Sequence, residues 1–513
     1  MSTMRLCTEN LPEIVTEGTA VTPSRTITVP GYDRLGLIAG IVHFGVGGFH
    51  RAHQAVYLDD LLKRGEARDF AICGMGVMPG DRRMRDVLRD QDYLYTLLTR
   101  HPDGTEDVRI IGSIIDYIWV PEDLRAALGK LADPSTRIVS LTVTEGGYNF
   151  NQVTGEYDLA QPAVAADIEN PHEPSTVFGL IVEALRMRRA AGVDPFTVMS
   201  CDNIQGNGDL AKAMFTAHAT AVDEELGAWI SANVAFPNSM VDRITPATTE
   251  DDVAYVRDRF GYDDQWPVVT EHFLQWVLED CFTGPRPAYE HVGVQVVDDV
   301  TPYEKLKLRM LNASHQGLCY FGHLAGYHLV DQAVSDPLIA DFLLRYMREE
   351  AMPTLDALPD TDVEVYAQEL LRRFTNASVK DTVPRLCAES SDRIPKWLVP
   401  VILDNLRGGG QVKLSAAIVA SWARYAEGTD ENGQPIRIID NAESRVRANA
   451  QAQLGADELA FLREPDFFAG LADEPRFTEP YLETLRSLHQ IGASRTLRAI
   501  LARDKAKEDP KND

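Results

Sequence analysis

Residues 304–316, EKLKLRMLNASHQ, carry four side chains whose types suit acid–base chemistry. The pattern predicts a helix, and Glu304, Lys307, Asn312 and His315 fall among its leucines on the side predicted to be buried. A buried lysine is either paired, here with Glu304 or His315, or partly neutral and able to act as a general base. His315 alone would be read as a core histidine, but the four residues together favour an active site.

Three other polar residues indicate which side of the predicted helix is buried. At about 100° per residue, Lys305, Arg309 and Gln316 fall on one stripe of an α-helix, and Lys307 points the opposite way. We predict that this stripe faces solvent and that Lys307 faces the interior.

A second candidate site is the glycine-rich turn HFGVGGFHRAH, which follows an apolar run and opens a helix-like stretch. Gly45 and Gly47 match the first two glycines of the dinucleotide-binding pattern GxGxxG, and His50 replaces the third. The alternative is an ordinary glycine turn, but a position between a strand and a helix favours a cofactor site. The predicted cofactor-binding residues of the turn are Gly45, Gly47, Gly48, Phe49 and His50.

The segment ICGMGVMPGDRR is predicted to end the second strand with Asp81, which is the candidate reader of the adenosine ribose. A carboxylate there accepts hydrogen bonds from the ribose hydroxyls and repels a 2′-phosphate, which favours NAD. Arg82 and Arg83 follow directly, and arginine is the residue that NADP sites use. Asp81 could equally be a loop residue or a helix N-cap.

Alternating strand and helix patterns surround these sites. Short apolar runs at 36–44, 69–77, 136–148 and 195–203 predict parallel strands connected by helices. After about residue 290 the patterns are mostly helical, at 304–330, 336–350, 363–374, 397–406, 413–426 and 479–503. We therefore predict an α/β domain over residues 1–296 and a mostly α-helical domain over residues 297–513. Residues 1–36 are predicted to be an irregular lead-in and residues 503–513 a frayed tail.

Composition limits the class of protein. A formal net charge of −27 argues against nucleic-acid or membrane partners. Six cysteines, at positions 7, 73, 201, 281, 319 and 387, show no zinc-site or disulfide spacing. With no signal-peptide pattern and no long apolar run, we expect a cytoplasmic protein. The oligomeric state is left open, a monomer being compatible with the sequence.

Several segments, in the same order from about residue 38 to about residue 500, resemble the mannitol dehydrogenase family of long-chain polyol-specific dehydrogenases. They are HFGVGGFHRAHQAVYLDDL, SLTVTEGGY, VMSCDN, MVDRITP, WPVVTEHFLQWVLED and KLRMLNASH. The pattern K-x4-N-x2-H in the last of them is specific to that family. The resemblance implies an N-terminal Rossmann-type domain, a mostly helical C-terminal domain and an NAD(P)-dependent, zinc-independent enzyme that uses NAD, with NADP possible.

The resemblance also implies roles for individual residues. Lys307 is the catalytic acid/base, Asn203 and Asn312 donate to the reacting oxygen, and His315 binds and orients the substrate. Glu145 resembles the proton-relay carboxylate of the family. The residues that resemble its substrate pocket are Asp242, Glu304 and Arg385.

Two positions depart from the family pattern. Close relatives carry a Glu-Asp pair after the second strand where this chain has Gly80 and Asp81, so tolerance of NADP is in question. A pocket-side lysine expected after CAES is replaced by Arg393, which could alter the choice of polyol.

The expected reaction is the reversible oxidation of an acyclic polyol to a ketose, D-mannitol to D-fructose. The alternatives within the class are D-arabinitol 4-dehydrogenase and hexuronate (fructuronate or tagaturonate) reductase, for which Arg385 and Arg393 would bind the carboxylate. A non-catalytic dinucleotide-binding regulator would not need Lys307, Asn312 and His315. The cysteine spacing disfavours a zinc-dependent polyol dehydrogenase.

Overall fold

A computed structural model of the 513-residue chain describes residues 4–15, 27–150, 155–359 and 361–508. The chain divides into two compact units, Met1–Thr301 and Pro302–Asp513.

The first unit is built on a five-stranded parallel sheet. Across the sheet the strands are Ile114–Trp119, Ile72–Gly76, Ile41–Phe44, Ile138–Leu141 and Thr197–Ser200. If these five strands are numbered along the chain, their order is 3-2-1-4-5, as in doubly wound nucleotide-binding folds. The predicted parallel α/β domain is confirmed, and four of these strands fall in the four predicted apolar runs.

Both faces of this sheet are covered by helices. Val42 and Phe44 belong to a hydrophobic cluster with the helix Val177–Ala191, whereas Ile41 belongs to a second cluster with the helix Gln54–Lys63. Neighbouring strand residues point to opposite faces, so a strand buried on both faces reads as a continuous apolar run. This explains why the sequence predicted these strands.

Smaller sheets complete the unit, and the sequence prediction omitted them. Their strands, grouped by sheet and in spatial order, are Val268–Glu271, Tyr95–Arg100 and Glu106–Ile111; Gln295–Val297, Gln275–Glu279 and Ser239–Asp242; and Met4–Arg5 with Tyr262–Asp263. In Glu106–Ile111 the half-buried Arg109 interrupts the buried positions, so the strand has no unbroken apolar run.

The α-helices of the first unit lie between these strands. They are Gly48–Ala52, Gln54–Lys63, Asp81–Asp90, Leu124–Ala132, Thr144–Gly147, Pro162–Glu169, Val177–Ala191, Asn207–Val222, Glu224–Asn233 and Glu250–Phe260. Short 3-10 helices occur at Thr8–Asn10 and Tyr289–Val292.

The second unit is mostly helical, as predicted, and among its described residues β pairing is limited to two isolated bridges. One long helix runs through Thr301–Leu306, a π-helical segment Lys307–Asn312, and Ala313–Leu324. The other α-helices are Val330–Val334, Pro337–Arg345, Val363–Phe374, Val383–Leu386, Ser390–Trp397, Val399–Gly408, Lys413–Ala426, Glu443–Ala452, Pro465–Phe468, Pro475–Ile491 and Ala493–Glu508. A second π-helix covers Tyr346–Ala351, and 3-10 helices cover Met352–Thr354, Ala377–Val379, Ala460–Arg463 and Leu471–Asp473.

The two chain ends were predicted to be irregular. Residues 16–26 of the lead-in lie outside the described residues, while Met4–Arg5 form a strand paired with Tyr262–Asp263. Of the predicted frayed tail, residues 503–508 are helical and residues 509–513 lie outside the described residues. In the described part of the chain, the structure contains no helix with the length and apolarity needed to cross a membrane.

Candidate active site

The glycine-rich turn lies at the carboxyl end of the central strand Ile41–Phe44. Gly45 has φ +90°, and a Cβ atom there would overlap the carbonyl oxygen of Thr142 and lie 2.8 Å from its carbonyl carbon. Gly47 precedes the helix Gly48–Ala52, and the atom nearest to a Cβ there would be the Gly45 carbonyl oxygen, at 3.8 Å. Only glycine fits at the first position, whereas the second leaves open space in front of the backbone, as a pyrophosphate site requires.

His50, at the third position of the pattern, is packed inside the unit. Its ring stacks on that of His43 from the central strand, with centroids 3.4 Å apart. Burial lowers the pKa of His43 to about 3 and that of His50 well below its usual value, so both rings are neutral. Phe49 is half-buried against His53. The structure thus gives the His50 side chain a packing contact where the sequence predicted a cofactor contact.

Asp81 opens the helix Asp81–Asp90 and does not end the preceding strand, which stops at Gly76. The prediction that Asp81 ends this strand is therefore wrong, because the turn VMPG, with Pro79, intervenes. The side chain nevertheless folds back over the strand end, since a Cβ on Gly76 would lie 2.9 Å from the Asp81 carboxyl carbon. One carboxylate oxygen accepts a hydrogen bond from the Met78 N–H at 2.8 Å, within the turn before the helix; the N-cap is Gly80, so Asp81 is not the N-cap that the sequence left as an alternative.

The arginines after Asp81 lie against tryptophans. The guanidinium of Arg82 lies over Trp119, 5.6 Å from the ring centroid, and that of Arg83 over Trp266 at 4.7 Å. Arg82 also lies 3.8 Å from Asp86. Each arginine therefore has a contact within the unit that competes with recognition of a 2′-phosphate.

Two further turns follow the fourth and fifth strands of the sheet. Glu145 lies, exposed, in the short helix Thr144–Gly147, and Asn203, also exposed, follows Thr197–Ser200. Carboxyl ends of parallel strands meet at one edge of a sheet. Gly45, Asp81, Glu145 and Asn203 therefore share the edge at which doubly wound folds bind dinucleotides.

Asp202 links the last two turns, and the sequence analysis did not single it out. Its carboxylate accepts hydrogen bonds from the N–H groups of Val143 (3.2 Å) and Thr144 (2.7 Å) and from the Tyr148 hydroxyl (2.8 Å). Burial raises the pKa of this carboxyl, and the three donors oppose the shift. Thr144 has φ +62°, so these bonds stabilise a strained turn beside Glu145. The only signal in the sequence was an acidic residue directly after a predicted strand.

Asp242 ends the strand Ser239–Asp242 of another sheet and is buried. That strand adjoins the parallel sheet, because the Ser239 hydroxyl donates to the Ser200 carbonyl oxygen at 2.7 Å. Asp242 is paired with Gln275 of the neighbouring antiparallel strand.

In the second unit, Glu304, Lys307, Asn312 and His315 are all buried, as predicted, with Lys307 7% exposed. The helix is π-helical from Lys307 to Asn312, and the N–H of Ala313 donates to the Leu308 carbonyl, five residues earlier. Winding of this kind places residues five apart near the same face, where an α-helix would turn them about 140° apart. Asn312 therefore comes to the face of Lys307, with Glu304 and His315 one turn away on either side.

The predicted solvent-facing stripe is wrong. Gln316 is fully buried, and the Tyr320 hydroxyl donates to its side-chain oxygen at 2.5 Å. Arg309 is buried and pairs with Asp404 at 2.7 Å, whereas Lys305 is half-buried and pairs with Asp356 at 3.0 Å. No side of this stretch is left to solvent, because every residue from Ala313 to Gly322 is buried and Arg309 is covered by Thr354 and Asp404.

His315 lies near Asp381, which in turn binds Arg385. Its ring centroid is 4.6 Å from that of Phe374. Arg385, from the helix Val383–Leu386, donates two hydrogen bonds of 2.6 Å to Asp381. Burial alone would raise the pKa of the Asp381 carboxyl, but Arg385, with His315 nearby, holds it below its usual value. The helical unit thus brings together His315 and Arg385, with Asp381, which the sequence analysis missed, beside both.

Arg393 is engaged by the backbone of the same region. Its guanidinium donates to the carbonyl oxygens of Leu386 (3.1 Å) and Arg385 (3.4 Å) and lies over the ring of Trp397. Across the described residues, no three His, Cys, Asp or Glu side chains form a group that could hold a metal ion.

Both parts of the chain match known protein domains. The mannitol dehydrogenase Rossmann domain matches residues 39–291, and the mannitol dehydrogenase C-terminal domain matches residues 299–489. A mannitol 2-dehydrogenase of Phaeosphaeria nodorum is 42% identical over 97% of this chain and 85% of its own length. A mannitol dehydrogenase of Saccharomyces cerevisiae is 43% identical over 93% of this chain and 95% of its own length.

Two solved structures are similar over most of both chains. Pseudomonas fluorescens mannitol 2-dehydrogenase, in a ternary complex with NAD and D-mannitol, has a TM-score of 0.83 and 41% identity, covering 97% of this chain and 100% of that one. A substrate-free D-sorbitol dehydrogenase has a TM-score of 0.87 and 38% identity, covering 92% and 97%. The chain belongs to the mannitol dehydrogenase family.

Proposed function

We propose that the protein is an NAD-dependent mannitol 2-dehydrogenase, which reversibly oxidises D-mannitol to D-fructose. The observation that carries this proposal is the buried set Glu304, Lys307, Asn312 and His315 on one face of the π-wound helix of a mannitol dehydrogenase family member. The solved relative that binds NAD and D-mannitol supports the choice of cofactor and polyol.

The residues at the carboxyl edge of the parallel sheet fit a dinucleotide. The open space at Gly47 admits a pyrophosphate against the backbone, and Asp81 lies at the strand end where the ribose reader is required. When bound, NAD supplies the hydride acceptor. The second unit would supply the acid/base, Lys307.

Lys307 is proposed to accept the proton of the reacting hydroxyl during oxidation and to return it during reduction. Asn203 and Asn312 donate hydrogen bonds to the reacting oxygen, and such donors typically contribute a few kcal/mol each to the transition state. His315 orients the polyol, and Glu145 relays protons to solvent, consistent with its exposure. Asp242, Glu304 and Arg385 contribute to the substrate pocket.

Arginine pairing favours a neutral polyol over a uronate. A uronate reductase needs a cation available to the substrate carboxylate. Arg385 already donates two hydrogen bonds to the Asp381 carboxylate, and Arg393 donates to two backbone carbonyl oxygens. Hexuronates are therefore the weaker candidates.

A substrate panel tests the proposal. D-Mannitol, D-sorbitol, D-arabinitol and the matching ketoses and hexuronates would be assayed with NAD(H) and NADP(H). We expect the highest kcat/KM for D-mannitol and D-fructose with NAD(H), retained after prolonged EDTA treatment because Lys307 and the amides replace a metal. A higher kcat/KM for D-sorbitol or a hexuronate would reassign the substrate, and activity lost to EDTA and restored by zinc would contradict the metal-free chemistry.

Replacing Asp81 with asparagine should raise the ratio of kcat/KM with NADP to that with NAD about tenfold, or about 1.4 kcal/mol, because it removes repulsion of the 2′-phosphate. The asparagine oxygen can still accept from Met78, so the turn is retained. Asp90→Asn, the same charge change at the other end of this helix, is the control and should leave the ratio unchanged. An equal ratio in wild type and Asp81→Asn would show that Asp81 does not read the ribose.

A further inference from the structure

The π-helical segment changes the hydrogen bonding of one carbonyl group of the long helix, that of Arg309. The N–H of Ala313, which an α-helix would pair with the carbonyl of Arg309, donates to Leu308. The carbonyl oxygen of Arg309 accepts a hydrogen bond of 3.1 Å from the hydroxyl of Tyr346. A side chain from elsewhere in the fold thus enters the hydrogen-bond ladder where the winding changes.

Tyr346 is well suited to remain a donor. It is fully buried, and burial, followed by the charge of Glu350, raises its pKa well above the usual value for tyrosine. The hydroxyl therefore keeps its proton near neutral pH.

The segment that carries Tyr346 is itself fixed. It begins the second π-helix, Tyr346–Ala351, in which the buried Glu350 carboxylate accepts hydrogen bonds from the N–H groups of Leu414 (2.6 Å) and Ser415 (2.8 Å). The Asn405 side-chain amide donates to the Glu350 carbonyl oxygen at 2.8 Å. Tyr346 therefore reaches the long helix from a support bonded to two other helices.

Arg309 is attached to the same region by its side chain. Its guanidinium donates to the Thr354 carbonyl oxygen at 3.0 Å and pairs with Asp404 at 2.7 Å. The backbone and the side chain of Arg309 are thus both bonded to residues between Tyr346 and Asp404, which resists rewinding of the segment into a regular α-helix.

We infer that Tyr346 is a positioning residue, whose hydroxyl stabilises the π-turn at Arg309 that brings Lys307 and Asn312 to one face of the helix. This inference rests on the proposed function, in which these two side chains act on the same oxygen. Rewinding to an α-helix would turn Asn312 about 140° from Lys307, and small displacements of reacting groups can reduce rates about 100-fold.

The test is Tyr346→Phe, which removes only the hydroxyl. We expect kcat for D-mannitol oxidation to fall about 10- to 100-fold, with a smaller change in KM and an unchanged Kd for NADH. Tyr481→Phe is the control, because it removes another fully buried hydroxyl of the same unit, bonded to Gln453 at 2.8 Å. It should affect thermal stability without changing kcat. Loss of stability with unchanged kcat in both variants would overturn the inference.

A double-mutant cycle with Lys307→Ala separates positioning from general damage. If Tyr346 acts through Lys307, adding Tyr346→Phe to Lys307→Ala should reduce kcat much less than it does in wild type, whereas additive losses would contradict the inference. A near-native kcat for Lys307→Ala would instead refute the proposed base, independently of Tyr346. If Tyr346→Phe does not fold, Arg309→Gln decides: a fall in kcat at unchanged NADH affinity supports the inference, and a wild-type kcat overturns it.

Discussion

Replacing Lys307 with alanine should lower kcat for D-mannitol oxidation by about two to four orders of magnitude, the usual contribution of a general base. Lys307 is buried on the helix face that also carries Asn312, and the variant removes the amine while leaving the glycine turn of the first unit intact. NADH affinity and the circular dichroism spectrum should therefore be retained. Steady-state kinetics and fluorescence titration with NADH are the measurements.

Lys305→Ala is the matched control, because it removes a lysine two residues away on the same helix. Lys305 pairs with Asp356 at 3.0 Å and its side chain is partly exposed, a kind of ion pair that contributes about 1 kcal/mol or less. We expect kcat to stay within about twofold of wild type. If Lys307→Ala keeps a near-native kcat but unfolds more readily, Lys307 is a structural ion-pair partner.

The direction of the pH dependence follows from the same role. If Lys307 is the proposed base, oxidation needs it without its proton and reduction needs it with the proton, so oxidation should rise and reduction fall as the pH increases. In Lys307→Ala both slopes should disappear, and added primary amines should partly restore the rate. Slopes that persist in the variant would assign the titration to another group.

The sequence predicted the parts of the fold whose side chains are buried on both sides. The four apolar runs became strands of the parallel sheet because both of their faces are covered, and the C-terminal helices followed from their apolar period. The strands with interrupted burial, such as Glu106–Ile111, were omitted because alternation over a few residues is a weak signal. The sequence could therefore place the site residues that follow these strands, which are Gly45, Asp81, Glu145 and Asn203.

The long helix shows how a site could be predicted for a partly wrong reason. Burial of Lys307 was expected because Lys305, Arg309 and Gln316 were assigned to solvent, yet Arg309 and Gln316 are buried. A π-turn lengthens the period locally, and no residue type specifies it, because the stabilising hydroxyl comes from Tyr346, 37 positions along the chain from Arg309. The spacing Lys307-x4-Asn312 suits a π-turn, so the family motif contained information that the α-helical period concealed.

Long-range contacts explain the other omissions. Asp202 became relevant only because the fold brings two strand-end turns to its carboxylate, and Asp381 because it lies beside His315. A single acidic residue has no distinguishing pattern in the sequence. Such residues orient neighbours that the sequence does reveal.

Replacing Gly45 with alanine should destabilise the first unit by about 3 kcal/mol or more and weaken NADH binding more than tenfold. The positive φ of Gly45 disfavours any L side chain, and the added methyl group would also overlap the backbone of Thr142. Thr142 follows the strand Ile138–Leu141 and donates its N–H to the Phe44 carbonyl at 3.0 Å. The methyl group would therefore push apart the two central strands where the cofactor is expected to bind.

Variants at two other glycines separate backbone strain from obstruction of the cofactor. Gly65→Ala, at φ +79° with no atom within 4 Å of the new Cβ, measures the backbone strain alone, expected to be about 1 kcal/mol. Gly47→Ala has no positive φ and no close contact, so it should fold like wild type while its methyl group obstructs the pyrophosphate and weakens NADH binding. Urea unfolding gives the free energy of unfolding of the three variants, and NADH titration gives their Kd for NADH. If Gly45→Ala is destabilised no more than Gly65→Ala, the strand ends accommodate the added methyl group. If Gly47→Ala binds NADH like wild type, the cofactor does not lie against this turn.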